Sequence, residues 1–359
     1  MPLSQPIIGK AQLKLLEKLC NACAVSGDEG QVRKIVLEEV KPYADDAKVD
    51  AMGNVLVTKN GNGKNHPHMP APVRVMLDAH MDEVGFMLVS EEGDGVFGFQ
   101  AVGGIDPRNL PGKPVLVGKE GIPGVIGMKP IHLANSDELK RKPSFESLRI
   151  DIGPNGKAKP GDWATFATKF KHVGPSIMAK AIDDRIGVAT LIELVKNAPS
   201  NIDLLAAFTV QEEVGLRGAK VAAYAFDPDL AIAIDSTPAY DIPKHDGTEN
   251  IVYNTRLGLG PAIYVFNSAT IDDPRLVRFL KDTAEAKDIP YQIRQPGGGG
   301  TDAGAIQRTR TGVPVVSVSV PGRYAHTPIG LCRVDDWKNT LKLLHAALER
   351  ITPKLLTEN

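Results

Sequence analysis

Val73-Arg-Val-Met-Leu77-Asp78-Ala-His80-Met-Asp82-Glu83 runs from an apolar stretch straight into a cluster of titratable residues. The first half reads as a buried strand, since branched and large aliphatic residues fill it and a polar break ends it. The same construction recurs. Leu204 to Val210 leads into Gln211-Glu212-Glu213-Val-Gly215, Leu230-Ala-Ile-Ala-Ile234 ends on Asp235, and Val313 to Val320 precedes Arg323-Tyr-Ala-His326. A further strand is expected at Asn54 to Thr58. Helical spacing of apolar residues predicts helices at Ala11 to Ala24, Glu29 to Tyr43, Ile186 to Lys196, Ala219 to Ala225, Pro274 to Ala286 and Asp335 to Thr352, with Ser26 as a turn or N-cap residue. Strands alternating with helices imply a layered α/β domain. In such open sheets, ligands and catalytic groups collect at the carboxyl ends of the strands.

From about Phe86 to Val173 the texture changes. Short apolar stretches alternate with Gly and Pro, as in Val102-Gly-Gly104, Leu110-Pro-Gly112, Gly121-Ile-Pro-Gly124 and Lys159-Pro-Gly161, and only Ser136 to Arg141 suggests a helix. This predicts a small β-rich, barrel-like domain inserted into the α/β unit. The division is therefore 1–85 plus 174–359 for the α/β domain and 86–173 for the insertion. The Gly61 to Pro72 stretch reads as a surface excursion.

Composition bounds the function. The 359 residues hold 42 Lys and Arg against 43 Asp and Glu, so the net charge of −1 gives no basic excess for binding nucleic acid. No apolar run is long enough to span a membrane. The first nine residues lack a charged start followed by an apolar stretch, which argues against a secretory signal. Three cysteines are too few for a disulfide framework, and together these features point to a reducing, cytoplasmic setting. Cys20 and Cys23 form a Cys-x-x-Cys on the apolar face of a predicted helix, where packing explains them. Gly258-Leu-Gly260-Pro261 lacks a dinucleotide fingerprint, and Gly297 to Gly300 has no following Gly-Lys-Ser/Thr. That run reads instead as backbone able to approach a substrate.

The strand-end clusters carry the chemistry. His80 and Asp82 stand two apart, so in extended chain Asp82 backs the imidazole, as carboxylates do behind metal-bound histidines. Asp183 and Asp184, in Lys180-Ala-Ile-Asp-Asp-Arg185, taken alone read as N-cap residues. Glu212 and Glu213 follow a buried strand, and adjacent carboxylates there are costly without a cation to receive them. His80, Asp183, Glu213, Asp235 and His326 supply three negative charges and two neutral nitrogens. Two divalent ions and one hydroxide balance that set, and one bridging carboxylate gives each ion three protein ligands. Imidazole with carboxylate suits zinc, cobalt or manganese. Glu212, beside a ligand but free, is placed to act as general base.

These stretches resemble the M42 family of metallo-aminopeptidases, which includes glutamyl and deblocking aminopeptidases and the tetrahedral archaeal enzymes. The likeness rests on His80-Met-Asp-Glu-Val-Gly-Phe86, Gly104-Ile-Asp-Pro107, Lys180 to Arg185, Gln211 to Ala219, Gly299-Gly-Thr-Asp-Ala303 and Arg323 to His326, in the family's order. It implies one metal on His80 and Asp235, another on Glu213 and His326, and Asp183 bridging. It further implies that Asp82 orients His80 and that Glu212 is the base and later the proton donor to the leaving amine. The inserted domain would serve dimerisation, and dimers would assemble into a dodecamer that admits peptides to internal sites. Two other functions remain open at this stage: a glycosidase working through paired carboxylates, and a non-catalytic chamber or binding protein.

Overall fold

The computed structural model describes residues 6–62, 71–251, 254–295 and 297–357. His66, His68 and most of the Gly61 to Pro72 excursion lie outside the described residues. One large mixed sheet organises the α/β part. Its strands lie in the order Asp46–Val49, Val55–Lys59, Ile202–Thr209, Val73–His80, Leu230–Pro238, Val315–Arg323, Gly330–Arg333, Ser176–Ala179 and Lys171–Val173. Two short strands, Ala262–Ile263 and Gln292–Ile293, branch from Val315–Arg323. The four strands from Ile202–Thr209 to Val315–Arg323 run parallel, and the registers His80↔Thr209, Asp78↔Ala233 and Asp235↔Ser319 bring their carboxyl ends level.

Side-chain alternation sends the two faces of these strands into different cores. Val75, Leu77, Leu204, Ala206, Ile232 and Ile234 pack with helices Lys10–Asn21, Gly30–Val40, Ile182–Lys196, Pro274–Ala286 and Val334–Arg350. Met76, Leu205, Ala207, Ala231 and Ala233 face the opposite way, against Ala219, Ala222 and Ala223 of helix Arg217–Phe226 and the short helix Ala303–Ile306. Alanines on both sides let that second layer sit close. The result is a helix–sheet–helix sandwich.

The insertion closes a six-stranded antiparallel barrel in the order Gly85–Gly93, Val96–Val102, Leu148–Asp151, Ile122–Met128, Pro114–Val117 and Trp163–Phe166. Phe86 centres its core, meeting Phe99 and Phe166 edge-to-face at centroid distances of 5.1 and 5.3 Å. Strand Lys171–Val173 pairs into the large sheet, so the expected division at residue 173 falls within that hairpin. At the junction Gly85 has no room for a side chain: a Cβ would lie 2.4 Å from Val25 and 2.8 Å from the Ala164 carbonyl.

Several local expectations need correction. The first helix ends at Asn21, so Cys20 is buried within it while Cys23 lies beyond it, half-buried. Ser26 caps no helix: its hydroxyl donates to Asp82, and Glu29 holds the N-cap position. The second helix stops at Val40, and Lys41–Tyr43 continues only as a 3-10 turn with Pro42 near its start. Strand Ile202–Thr209 ends before Glu212 and Glu213, which stand in the turn beyond it. The helix expected from Ile186 is present: the segment Ile182–Lys196 is broken by non-helical backbone at Asp183 and Asp184, and its regular turns run from beyond Asp184.

Candidate metal centre

His80 ends its strand, and Asp235 sits level with it on the neighbouring parallel strand. The other groups arrive from turns. Asp183 and Asp184 have non-helical backbone (φ/ψ −76°/109° and −117°/39°) inside the helix Ile182–Lys196, joined by a cis peptide bond. The two side chains go different ways. Asp184 Oδ1 accepts the Gly187 N–H at 3.0 Å as an N-cap would, while Asp183 enters the cluster. Left-handed φ values of 53°, 58° and 57° at Ala181, Gln211 and His326 mark all three turns. Such values are costly for side-chain-bearing residues and collect where function demands a fixed turn.

Two groups of three ligand-type residues result, His80 with Asp183 and Asp235, and Asp183 with Glu213 and His326, each with its ligand atoms mutually within 4.8 Å. His80 Nε2 lies 3.2 Å from Asp183 Oδ1 and 3.8 Å from Asp235 Oδ1. His326 Nε2 lies 3.2 Å from Glu213 Oε2 and 3.5 Å from Asp183 Oδ2. Ligand atoms about 2.0–2.1 Å from a tetrahedral ion stand about 3.3 Å apart, so both groups have the span of a metal site. Asp183 offers one oxygen to each. All five sequence-predicted ligands are brought together.

The electrostatics describe a site with too much negative charge for its burial. Burial pushes Glu213 up to about 8 and Asp235 up to about 7, the nearby imidazoles opposing and Asp183 adding to the rise. Asp183 is driven the other way: burial would raise it, but hydrogen bonds from His326 and His80 outweigh burial and hold it far below the carboxylate range. His326 is raised to about 10, because Asp183 and Glu213 together outweigh the opposing effect of burial. Glu212 lies outside both ligand groups but lines the same cavity, and burial raises it well above its ordinary value.

Asp82 does more than back an imidazole. Its Oδ1 stands 3.4 Å from His80 Nδ1, a nitrogen that has no hydrogen-bond partner among the described residues. Asp82 instead accepts the Ser26 hydroxyl at 2.6 Å and the backbone N–H groups of Glu212 and Glu213 at 3.0 and 3.2 Å. It therefore sets the turn that carries both glutamates as well as facing the histidine.

Sequence reasoning missed three supporting features. The Gly104 carbonyl, from the inserted segment, accepts His326 Nδ1–H at 2.9 Å, which leaves Nε2 facing Glu213 and Asp183. Glu83 is buried and receives Lys180 Nζ at 2.7 and 2.9 Å, Arg185 at 3.1 Å, the Ala24 N–H at 3.0 Å and the Thr165 hydroxyl at 2.9 Å. Lys180 and Arg185 flank Asp183 and Asp184 in sequence, so their adjacency to a candidate ligand was the available signal. Arg294 lines the cavity beside the cluster, and the preceding Gln292-Ile-Arg sequence gave no sign of it.

The M42 glutamyl aminopeptidase family profile matches residues 53–343. A lysyl aminopeptidase of Pyrococcus furiosus is 32% identical over 354 residues, covering 95% of this chain and 97% of that one. A glutamyl aminopeptidase of Lactococcus lactis subsp. cremoris is also 32% identical over 354 residues, with coverage of 93% and 95%. Among solved structures, the aminopeptidase APDkam598 of Desulfurococcus kamchatkensis superposes with a TM-score of 0.89 at 34% identity, covering 96% of both chains. PhTET1-12s, described as a dodecamer, gives 0.81 at 34% identity, covering 96% of this chain and 100% of that one. A Thermotoga maritima protein named endoglucanase gives 0.76 at 32% identity, with coverage of 95% and 98%.

Proposed function

This chain belongs to the M42 glutamyl aminopeptidase family, and from that premise we propose that it removes N-terminal residues from peptides with two divalent metal ions held by the clustered side chains. His80 and Asp235 would hold one ion, Glu213 and His326 the other, and Asp183 would bridge. The observation that carries this reading is the placement of the two Asp183 oxygens, one toward each imidazole. Zinc or cobalt suits the donors best, with manganese also compatible. The ions, when bound, would polarise the attacking water and the scissile carbonyl.

The chain's own groups do the remaining work. Glu212, fixed at its backbone by Asp82 and raised by burial, is suited to take a proton from water and pass it to the leaving amine. Asp82 positions that turn and faces His80. We assign the inserted barrel to dimerisation and infer assembly of dimers into a dodecamer, by likeness to PhTET1-12s, with the work done in the cytoplasm. A paired-carboxylate glycosidase would leave both imidazoles and Asp183 without a role.

Dialysis against a chelator should abolish hydrolysis of aminoacyl reporters, and readdition of metal should restore it. Glu212→Gln should keep its metal content and lose turnover by about 10²–10⁴-fold. Full activity in the metal-free protein would overturn the proposal, and metal-independent release of sugar from a cellulose-type polymer would favour the glycosidase.

A further inference from the structure

Ser26 is buried, at 3% exposure, and its hydroxyl donates to Asp82 Oδ2 at 2.6 Å, the length of a charge-assisted bond. Asp82 Oδ2 is shared between that hydroxyl and the Glu213 N–H at 3.2 Å, while Oδ1 accepts the Glu212 N–H at 3.0 Å and faces His80 Nδ1 at 3.4 Å. The two amides belong to the turn that Asp82 sets, and His80 is the residue it faces. None of the three can therefore be what fixes the carboxylate. Among the described residues, Ser26 is the one side-chain partner of Asp82 that comes from outside this group.

Ser26 is itself held still. It occupies the second position of a turn closed by the Asp28 N–H on the Val25 carbonyl at 2.7 Å. Gly27 follows with a φ of 95°, the conformation that favours glycine at the third position of a type II turn. An added Cβ there would come within 3.2 Å of the Trp163 ring of the barrel, and the Gly27 N–H is taken by Glu29 Oε1 at 2.6 Å. Before the turn, Val25 bridges to Glu83, the Glu83 N–H donates to the Ala24 carbonyl at 3.0 Å, and the Ala24 N–H returns to Glu83 Oε1 at 3.0 Å. The hydroxyl thus reaches Asp82 from a backbone tied down on both sides.

We propose that Ser26 is a positioning residue for the hydrolysis: by holding Asp82 Oδ2 it keeps Oδ1 aimed at both the Glu212 amide and the His80 ring. The inference rests on the aminopeptidase reading. Without the hydroxyl, Oδ2 keeps only the longer Glu213 contact, so the carboxylate plane is free to turn, and the imidazole and the glutamate turn lose their common anchor. Removing a group that orients a metal-bound imidazole costs about 10–100-fold in metal affinity or activity. Ser26 lies outside the cavity lined by His80, Glu212 and His326, so its effect falls on metal affinity and kcat and leaves KM alone.

The test uses the full chain. Zinc affinity of the metal-stripped protein is measured by competition with a chromophoric chelator, and kcat and KM are measured on a panel of aminoacyl-p-nitroanilides at saturating zinc. Ser26→Ala should weaken zinc binding by about 10-fold and lower kcat by about 10-fold on every reporter cleaved, with KM unchanged. Ser26→Thr, which keeps the hydroxyl, should recover most of both. In an Asp82→Asn background, Ser26→Ala should cost far less zinc affinity than in the wild type, because the charged acceptor is already gone. Thermal midpoints report whether each variant folds, and if Ser26→Ala does not, Ser26→Cys, a poor donor of similar shape, carries the same expectation. A folded variant lacking the hydroxyl with wild-type zinc affinity and kcat overturns the proposal and makes Ser26 a satisfied core group. A loss of zinc affinity equal with and without Asp82→Asn overturns it too, since the effect then runs through another contact. Either result leaves the aminopeptidase reading intact, whereas a wild type that binds no zinc and cleaves no reporter overturns both.

Discussion

Removing the charge of Glu83 should destabilise the whole molecule through two cations it leaves behind. Lys180 and Arg185 are 2% and 0% exposed at their side chains, and both meet the Glu83 carboxylate. Taking one partner from a buried ion pair costs about 3–5 kcal/mol, because the remaining charge has lost water and countercharge alike. Here carbonyls soften the loss: Ala22 still accepts from Lys180 at 2.7 Å, and Leu19, Met81 and Asp82 still accept from Arg185. Glu83→Gln should therefore fall at the low end, about 3 kcal/mol. Unfolding entropy near the midpoint is about 2 cal/mol/K per residue, so for this chain that loss lowers the thermal midpoint by roughly 4 °C. Differential scanning at neutral pH reads it directly. Adding Lys180→Met should restore part of the loss, since one orphaned cation is then gone.

The pH dependence has a definite sign. Burial alone would raise Glu83, but Lys180 and Arg185 outweigh it and lower the carboxyl below its ordinary value. A depressed folded pKa gives stability that is present above the unfolded value of about 4.3 and is lost as pH falls through the folded pKa. The gap between wild type and Glu83→Gln should thus be full at neutral pH and close in strong acid. A variant within about 1 °C of wild type at pH 7, or a double variant no better than the sum of its parts, would refute the reasoning.

Three further outcomes follow from the site and the packing. Asp183→Asn should deplete both metals and Asp235→Asn only one, by elemental analysis of the purified protein, because Asp183 belongs to both ligand groups and Asp235 to one. Loading should also tighten as pH rises from about 6 to 8, since Glu213 and Asp235 are raised by burial and must shed protons to bind. Thiol labelling of the native protein at pH 8 should modify Cys23 alone: burial pushes Cys20 up to about 12 and raises Cys332 further, while Cys23 is half-buried and less strongly shielded. Labelling of all three without denaturant would contradict the packing.

The clustered residues were legible because the fold puts them where the sequence has a visible edge. His80 ends its strand and Asp235 ends the apolar run of its own, three residues before the strand itself stops at Pro238. Asp183 and Asp184 were not separable by spacing. Their roles divide on a backbone break of a few dihedrals, which leaves Asp184 capping the helix and turns Asp183 into the cluster. Gly104 acts through a carbonyl, which every residue carries, so its identity announces nothing. Arg294 depends on Thr237 and Tyr264, brought beside it only by the completed sheet.

The nested domain order has a physical reason at the same place. The inserted segment supplies Gly104 to orient His326, and Thr165 to the Glu83 ion pairs, while Gly85 lets its first strand press against Val25. Glu83 in turn binds the segment that carries Asp183, through Lys180 and Arg185. His326 and the segment that carries Asp183 therefore both lean on the insertion. A barrel that merely mediated contact between copies would need none of these bonds. Their presence ties the positions of His326 and of the Asp183 turn to the seating of the barrel.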